Sequence, residues 1–177
     1  MKLMKVPFLA LVIAISQFTS IAPAAEDHEK VFPKIKIEYP IILGMYVGYA
    51  KEQNLKPLQP DHLRFFIQPL GIIHSVFDVD LKSGAFVRYP GTHDKEGIQK
   101  GQLSERSRAS LIALLASKQF QEMPELDSKP AGLDGKNLFV EVDWQQRYLW
   151  RLRWEPEDSS FKKIEKLLKD TVTTKPE

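Results

Sequence analysis

The 177-residue chain contains no cysteine. Disulfides, thiolate metal centres, cysteine nucleophiles and lipid attachment through an N-terminal cysteine are excluded together. Long apolar runs are also lacking: the first, Val6 to Ile15, spans ten residues and includes Pro7, where a spanning helix needs about 20. Four histidines stand at positions 28, 62, 74 and 93. None is spaced H-x-x-x-H or H-E-x-x-H, so no two share a helix face as a zinc pair requires. The chain has no G-x-S-x-G elbow, phosphate loop, dinucleotide fingerprint or run of acidic calcium ligands. No cofactor and no resident metal are expected.

An excess of one charge is missing too, although the formal net charge of +2 suggests a mildly basic protein. Lys2 and Lys5 precede the apolar run, and Ala22-Pro23-Ala24-Ala25 follows it. A cationic start, a short apolar centre and an A-x-A end describe a secretory signal peptide, cut after Ala24. Removing residues 1–24 leaves 25 − 2 = 23 basic residues against 23 acidic ones. A neutral mature chain lacks the long-range positive field that nonspecific nucleic-acid binding uses, so no nucleic acid is expected as partner. The implied location is periplasmic or extracellular, with no transmembrane segment once the leader is gone.

Residues 25–34 are polar and charged and read as a flexible lead-in, 35–172 as a single α+β domain, and 173–177 as a tail. Ile35, Ile37 and Tyr39 alternate with Lys36 and Glu38, which predicts a strand stopped by Pro40. The apolar run Ile41 to Ala50 reads as a buried helix or strand, and His62 to Gln68 as a strand. Phe77, Val79 and Leu81 alternate with Asp78 and Asp80 before Lys82-Ser83-Gly84. A three-residue loop there predicts a hairpin with Val79 opposite Val87 and Asp78 opposite Arg88. A long loop, Pro90 to Gly101, then leads to a helix capped by Ser104, with Leu111, Leu114 and Leu115 on its apolar stripe. A second hairpin follows over Leu138 to Trp144 and Tyr148 to Trp154, and an odd loop length there places Glu141 opposite Arg151. The last helix, about Ser160 to Val172, buries Phe161, Ile164, Leu168 and Val172.

The two hairpins align without gaps at an offset of 63 residues, Val79 on Val142, Asp80 on Asp143, Arg88 on Arg151 and Asp78 on Glu141. Each is followed by a helix, so the chain reads as two ββα units. The predicted architecture is an antiparallel sheet built from those units, with two helices on one face and N-terminal strands added at an edge. A leader, an apolar-D-x-D hairpin with a Gly turn and a return strand ending in Tyr89-Pro90-Gly91, a helix ending in Phe120, and a second hairpin and helix together resemble small secreted bacterial domains of unknown function. The resemblance covers about Phe77 to Asp170. It implies a tandem ββα fold and carries no activity.

Candidate chemistry is sparse. Asp78, Asp80, Glu141 and Asp143 collect on the expected outer face with Arg88, Arg151 and Arg153, where carboxylates could do acid–base work if burial split their pKa values. The predicted registers instead make them cross-strand ion pairs. His93 and Asp94 sit in a loop of ordinary turn formers. Trp144, Tyr148, Trp150 and Trp154 are expected on one face with Leu138, Val140, Val142 and Leu152, as core. These features favour a noncatalytic exported module that binds another envelope protein. The alternative is an envelope enzyme or small-ligand binder in which Asp80, His93, Asp94 and Asp143 converge.

Overall fold

A computed structural model describes residues 30–35, 40–126, 135–154 and 159–173. The leader, Lys36 to Tyr39 of the expected first strand and the end of the tail lie outside them. The chain divides into two compact units, Met1–Leu55 and Lys56–Glu177; the expected single domain over 35–172 spans both.

In the first unit, Val31, Phe32 and Ile35 are buried, although the sequence predicts a flexible lead-in up to residue 34. Pro40 opens α1 (Pro40–Glu52) rather than only ending a strand, a position where its missing N–H costs nothing. Tyr46, Val47, Tyr49 and Ala50 of α1 are buried. Asn54, at φ 53°, closes the helix in a left-handed turn, with the Leu55 amide donating to the Ala50 carbonyl at 2.8 Å.

The second unit is a six-stranded antiparallel sheet with helices, an α+β fold. Its strands are β1 (His62–Pro69), β2 (Ser75–Asp80), β3 (Ala85–Pro90), β4 (Gln99–Gln102), β5 (Lys136–Trp144) and β6 (Arg147–Trp154), in the order β4-β3-β2-β1-β5-β6. Its helices are α2 (Glu105–Ala116), α3 (Lys118–Gln121) and α4 (Ser159–Thr173). Two departures from expectation matter. The strand from His62 lies at the centre, between β2 and β5, and not at an edge. The expected loop from Pro90 to Gly101 contributes an edge strand, β4, too short and polar to show an apolar alternation.

One face of the sheet packs on the helices. Leu63, Phe65, Ile67, Phe77, Val79, Leu138, Val140 and Val142 form a core with Leu111 and Leu115 of α2, Phe120 of α3, and Phe161, Ile164 and Leu168 of α4. Fully burying a Leu or Phe stabilises by about 1.5–3 kcal/mol each, so this cluster dominates the fold's energetics. Ser104 caps α2 as expected, its hydroxyl accepting from the Ser107 amide at 3.1 Å.

Both hairpins are shifted by one residue from the expected register. Asp78 faces Val87 and Phe77 faces Arg88; Glu141 faces Trp150 and Val140 faces Arg151. Because side chains alternate with a period of two, this one step turns each return strand over. Arg88, Arg151 and Arg153 lie on the helix side, whereas Val87, Tyr89, Tyr148, Trp150, Leu152 and Trp154 lie on the other. The expected aromatic row is split, since Trp144 packs on the helix-side core and Trp150 meets Phe139 edge-on at 6.3 Å on the opposite face.

The inward arginines have partners that the sequence does not announce. Arg153 donates to the Leu152, Pro124 and Glu125 carbonyls and lies 5.9 Å from the Phe161 ring centroid. Arg151 donates to the Trp150 and Gln121 carbonyls at 2.7 and 3.2 Å. These guanidinium groups satisfy carbonyls at and after the end of α3, which a helix terminus otherwise leaves open. Their stems meanwhile cover apolar surface.

Candidate functional site

The sheet face opposite the helices holds a buried charge network centred on Arg64 of β1. Antiparallel pairing places Arg64 directly between Asp78 of β2 and Glu141 of β5, and His62 between Asp80 and Asp143. Arg64 is 2% exposed and Glu141 1%. The Arg64 Nη2 donates to Asp78 Oδ2 at 2.9 Å and to the Lys56 carbonyl at 2.8 Å, and Nε reaches the same carboxylate oxygen at 3.3 Å. Its Nη1 stands 3.5 Å from Glu141 Oε2. The Tyr148 hydroxyl donates to Glu141 Oε1 at 2.7 Å. His62 Nδ1 is 2.9 Å from Asp78 Oδ1.

The electrostatics follow from these contacts. The hydrogen bond with Asp78 raises the His62 pKa above its ordinary value of 6.5, against the opposing effect of burial. Burial pushes Asp78 up, but the His62 hydrogen bond and the Arg64 charge more than offset it, so Asp78 titrates below 3.8. Burial and then the Glu141 charge drive the Tyr148 phenol far up, so it stays a hydrogen-bond donor.

The other sequence candidates lie elsewhere or are engaged. Asp80 organises the β2–β3 turn: its carboxylate accepts from the Lys82 amide at 2.8 Å and the Ser83 hydroxyl at 2.6 Å, which lowers its pKa. Asp94 accepts from Arg88 at 3.1 Å and from the Glu96 amide at 2.9 Å, and His93 is exposed beside it. Arg88 also donates to Glu96 at 2.7 Å. Arg88 is on the helix side and His62 on the other, so Asp80, His93, Asp94 and Asp143 do not converge as the alternative reading requires. The expected pairs Asp78–Arg88 and Glu141–Arg151 are replaced by one cation, Arg64, shared between Asp78 and Glu141. Among the described residues, no group of three or more His, Asp or Glu side chains is placed to hold a metal.

A second feature was not anticipated from sequence. A groove of about 1160 Å³ runs between the β4 edge and the two long helices of this unit, with Phe86, Leu167 and Val172 in its apolar wall. Arg106 and Ser107 of α2 and Lys163 and Lys166 of α4 bring charge and hydroxyl to it. Its one carboxylate among the described residues is Asp170, held by Lys166 at 2.7 Å. The sequence signal available for it was the lysine face of the last helix, which reads as solvated surface until β4 is known to run alongside.

Comparison with family models, with curated proteins and with solved structures gives no match. The structural class is the α+β fold just described. Among the described residues, no helix is long and apolar enough to cross a membrane.

Proposed function

We propose that this chain is an exported bacterial protein, periplasmic or secreted, that works as a noncatalytic interaction module through the groove beside β4. One observation carries this reading: the side chains best suited to acid–base chemistry are committed to one another, while the open concavity is walled by cations, hydroxyls and apolar groups. Asp78, Arg64, Glu141, Tyr148 and His62 contact one another in one network, the Arg64 Nη1 and Glu141 Oε2 by charge alone at 3.5 Å. Buried polar networks rigidify a fold and specify its packing. A groove with cations on its walls and an apolar strip suits recognition.

A photo-crosslinking side chain at Ser107, with the chain expressed in its own cells, tests the groove. The expected result is one discrete protein adduct that is lost when Lys163 and Lys166 are changed to Glu. Absence of any adduct from Ser107, or an adduct indifferent to those changes, would overturn the reading. Export is checked by N-terminal sequencing of the envelope fraction: a start at Ala25 supports it, and retention of Met1 refutes cleavage.

A further inference from the structure

We propose that the groove receives an extended, acidic segment of a partner polypeptide, which adds to the sheet as a seventh strand alongside β4. This deepens the interaction-module reading and rests on it. β4 is the last strand in the sheet order, so one row of its backbone amides and carbonyls has no strand partner among the described residues. Its four residues, Gln99–Gln102, span about 13 Å at roughly 3.3 Å per residue, enough to register a short extended segment. Added strands gain affinity from main-chain hydrogen bonds and specificity from alternate side chains.

The charges select the segment. Lys100 faces Val87, and so lies on the opposite sheet face from Phe86, which faces Gly101. Lys100 therefore flanks one side of the edge, while Arg106, Lys163 and Lys166 stand across the groove on the other. Lys100, Arg106 and Lys163 make no ion pair with any described residue, whereas Arg64, Arg88, Arg108 and Lys136 do. Acidic side chains on either face of an added strand would meet a cation, and apolar ones on the groove side would meet Phe86, Leu167 and Val172. A short edge carrying a lysine is also a common guard against aggregation. That role asks nothing of Arg106 and Lys163, which lie on two separate helices and converge on the same groove. A second copy of this chain is a poor occupant, because antiparallel β4 edges would set Lys100 of each copy near the other.

The test uses a labelled eight-residue Val-Glu peptide of repeated Glu-Glu-Val-Val, which sets both residue types on each face of an extended strand, the full mature chain, and fluorescence anisotropy with amide exchange as a second readout. Expected are saturable binding, added protection of the amides of Gln99–Gln102, and at least a tenfold loss of affinity with Lys163→Glu plus Lys166→Glu. These two side chains are exposed, so the fold is retained, which thermal unfolding verifies. A peptide N-methylated at alternate residues on its pairing edge should also lose at least tenfold. Undiminished binding of the N-methylated peptide, or equal binding of a heparin oligosaccharide at the same ionic strength, would show a groove that reads charge alone and would overturn strand addition. No binding of the Val-Glu peptide overturns the acidic-strand assignment. The interaction-module reading fails separately, through the Ser107 crosslinking result.

Discussion

Replacing Arg64 with Met should be among the most damaging single changes outside the apolar core. Met keeps much of the stem's volume, so the effect isolates the guanidinium. The change takes a cation from two carboxylates at once: Asp78, bonded at 2.9 Å, and Glu141, 3.5 Å away and 1% exposed. Breaking one partner of a buried ion pair costs about 3–5 kcal/mol, mostly from the charge left behind. Asp78 keeps its His62 contact and is partly exposed, so Glu141 should carry most of the penalty. Urea unfolding followed by tryptophan fluorescence should show a midpoint shift equivalent to about 3 kcal/mol or more at pH 7, with an unchanged slope. Adding Glu141→Leu should recover at least about 1.5 kcal/mol, since removing both charges of a buried pair is often neutral or stabilising. In Arg64→Met alone, burial favours the protonated form of Glu141. The penalty should therefore ease as pH falls toward the ordinary glutamate value of about 4.3. A loss below about 1 kcal/mol, or additive losses in the double variant, would refute the central role given to Arg64.

The raised His62 pKa contributes stability that is fully present below 6.5 and lost as pH rises through its folded value; the lowered Asp78 pKa contributes stability present above 3.8 and lost as pH falls through its folded value. The stability difference between the natural chain and His62→Gln should then be largest near pH 5 and shrink by pH 9, with Asp78, Asp80, Asp143 and Arg64 as the charges around the ring; a difference that grows with pH contradicts this. Gly91→Ala would bring a Cβ within 2.7 Å of the Ile73 carbonyl oxygen and closer still to that of His74, where backbone must move, whereas a Cβ at Gly97 meets open space. The first should cost about 1–3 kcal/mol and the second less than about 0.5 kcal/mol in the same urea assay. Gln145 and Gln146 form the β5–β6 turn at φ 51° and 62°, so Asn-Gly in their place should stabilise by about 1 kcal/mol; a lower thermal midpoint would contradict the assigned turn.

Much of the fold is legible in the sequence because its signals are local. The Ser104 cap, the Leu111 and Leu115 stripe, the Phe161, Ile164 and Leu168 stripe and the two hairpins all arise from periodicity over a few residues. What was not legible depends on distant partners. β4 has no apolar pattern and exists because Gly101 lies opposite Phe86 and Leu103 reaches back to the Gly84 carbonyl at 2.9 Å. Arg64 sits in a strand buried on both faces, HLRFFIQP, where a charged residue gives no hint that two carboxylates from different strands will meet it.

The register error has one cause in both hairpins. Setting apolar residues opposite apolar residues assumes that arginine faces water. The local chemistry argued otherwise at the first turn: Asp80 followed by Lys82, Ser83 and Gly84 is a turn in which the aspartate carboxylate caps the following amides, and Gly84 closes it at φ 80°. The second turn gave no such warning, because two glutamines occupy left-handed positions that usually draw Asn or Gly. The 63-residue offset, however, survives the correction. Phe77 faces Arg88 and Val140 faces Arg151, where 140 − 77 = 63 and 151 − 88 = 63. The same offset relates the two sides of β1: His62 faces Asp80 and Asp143, and Arg64 faces Asp78 and Glu141. The offset is thus expressed in the pairing itself, with β1 as the shared strand between two hairpins in matching register. A carboxylate at corresponding positions of each hairpin has to meet the same residue of β1, so a single arginine there can neutralise both. That geometry explains why Arg64 lies at the centre of the sheet, and sets the acidic residues of both hairpins along the seam where each meets β1.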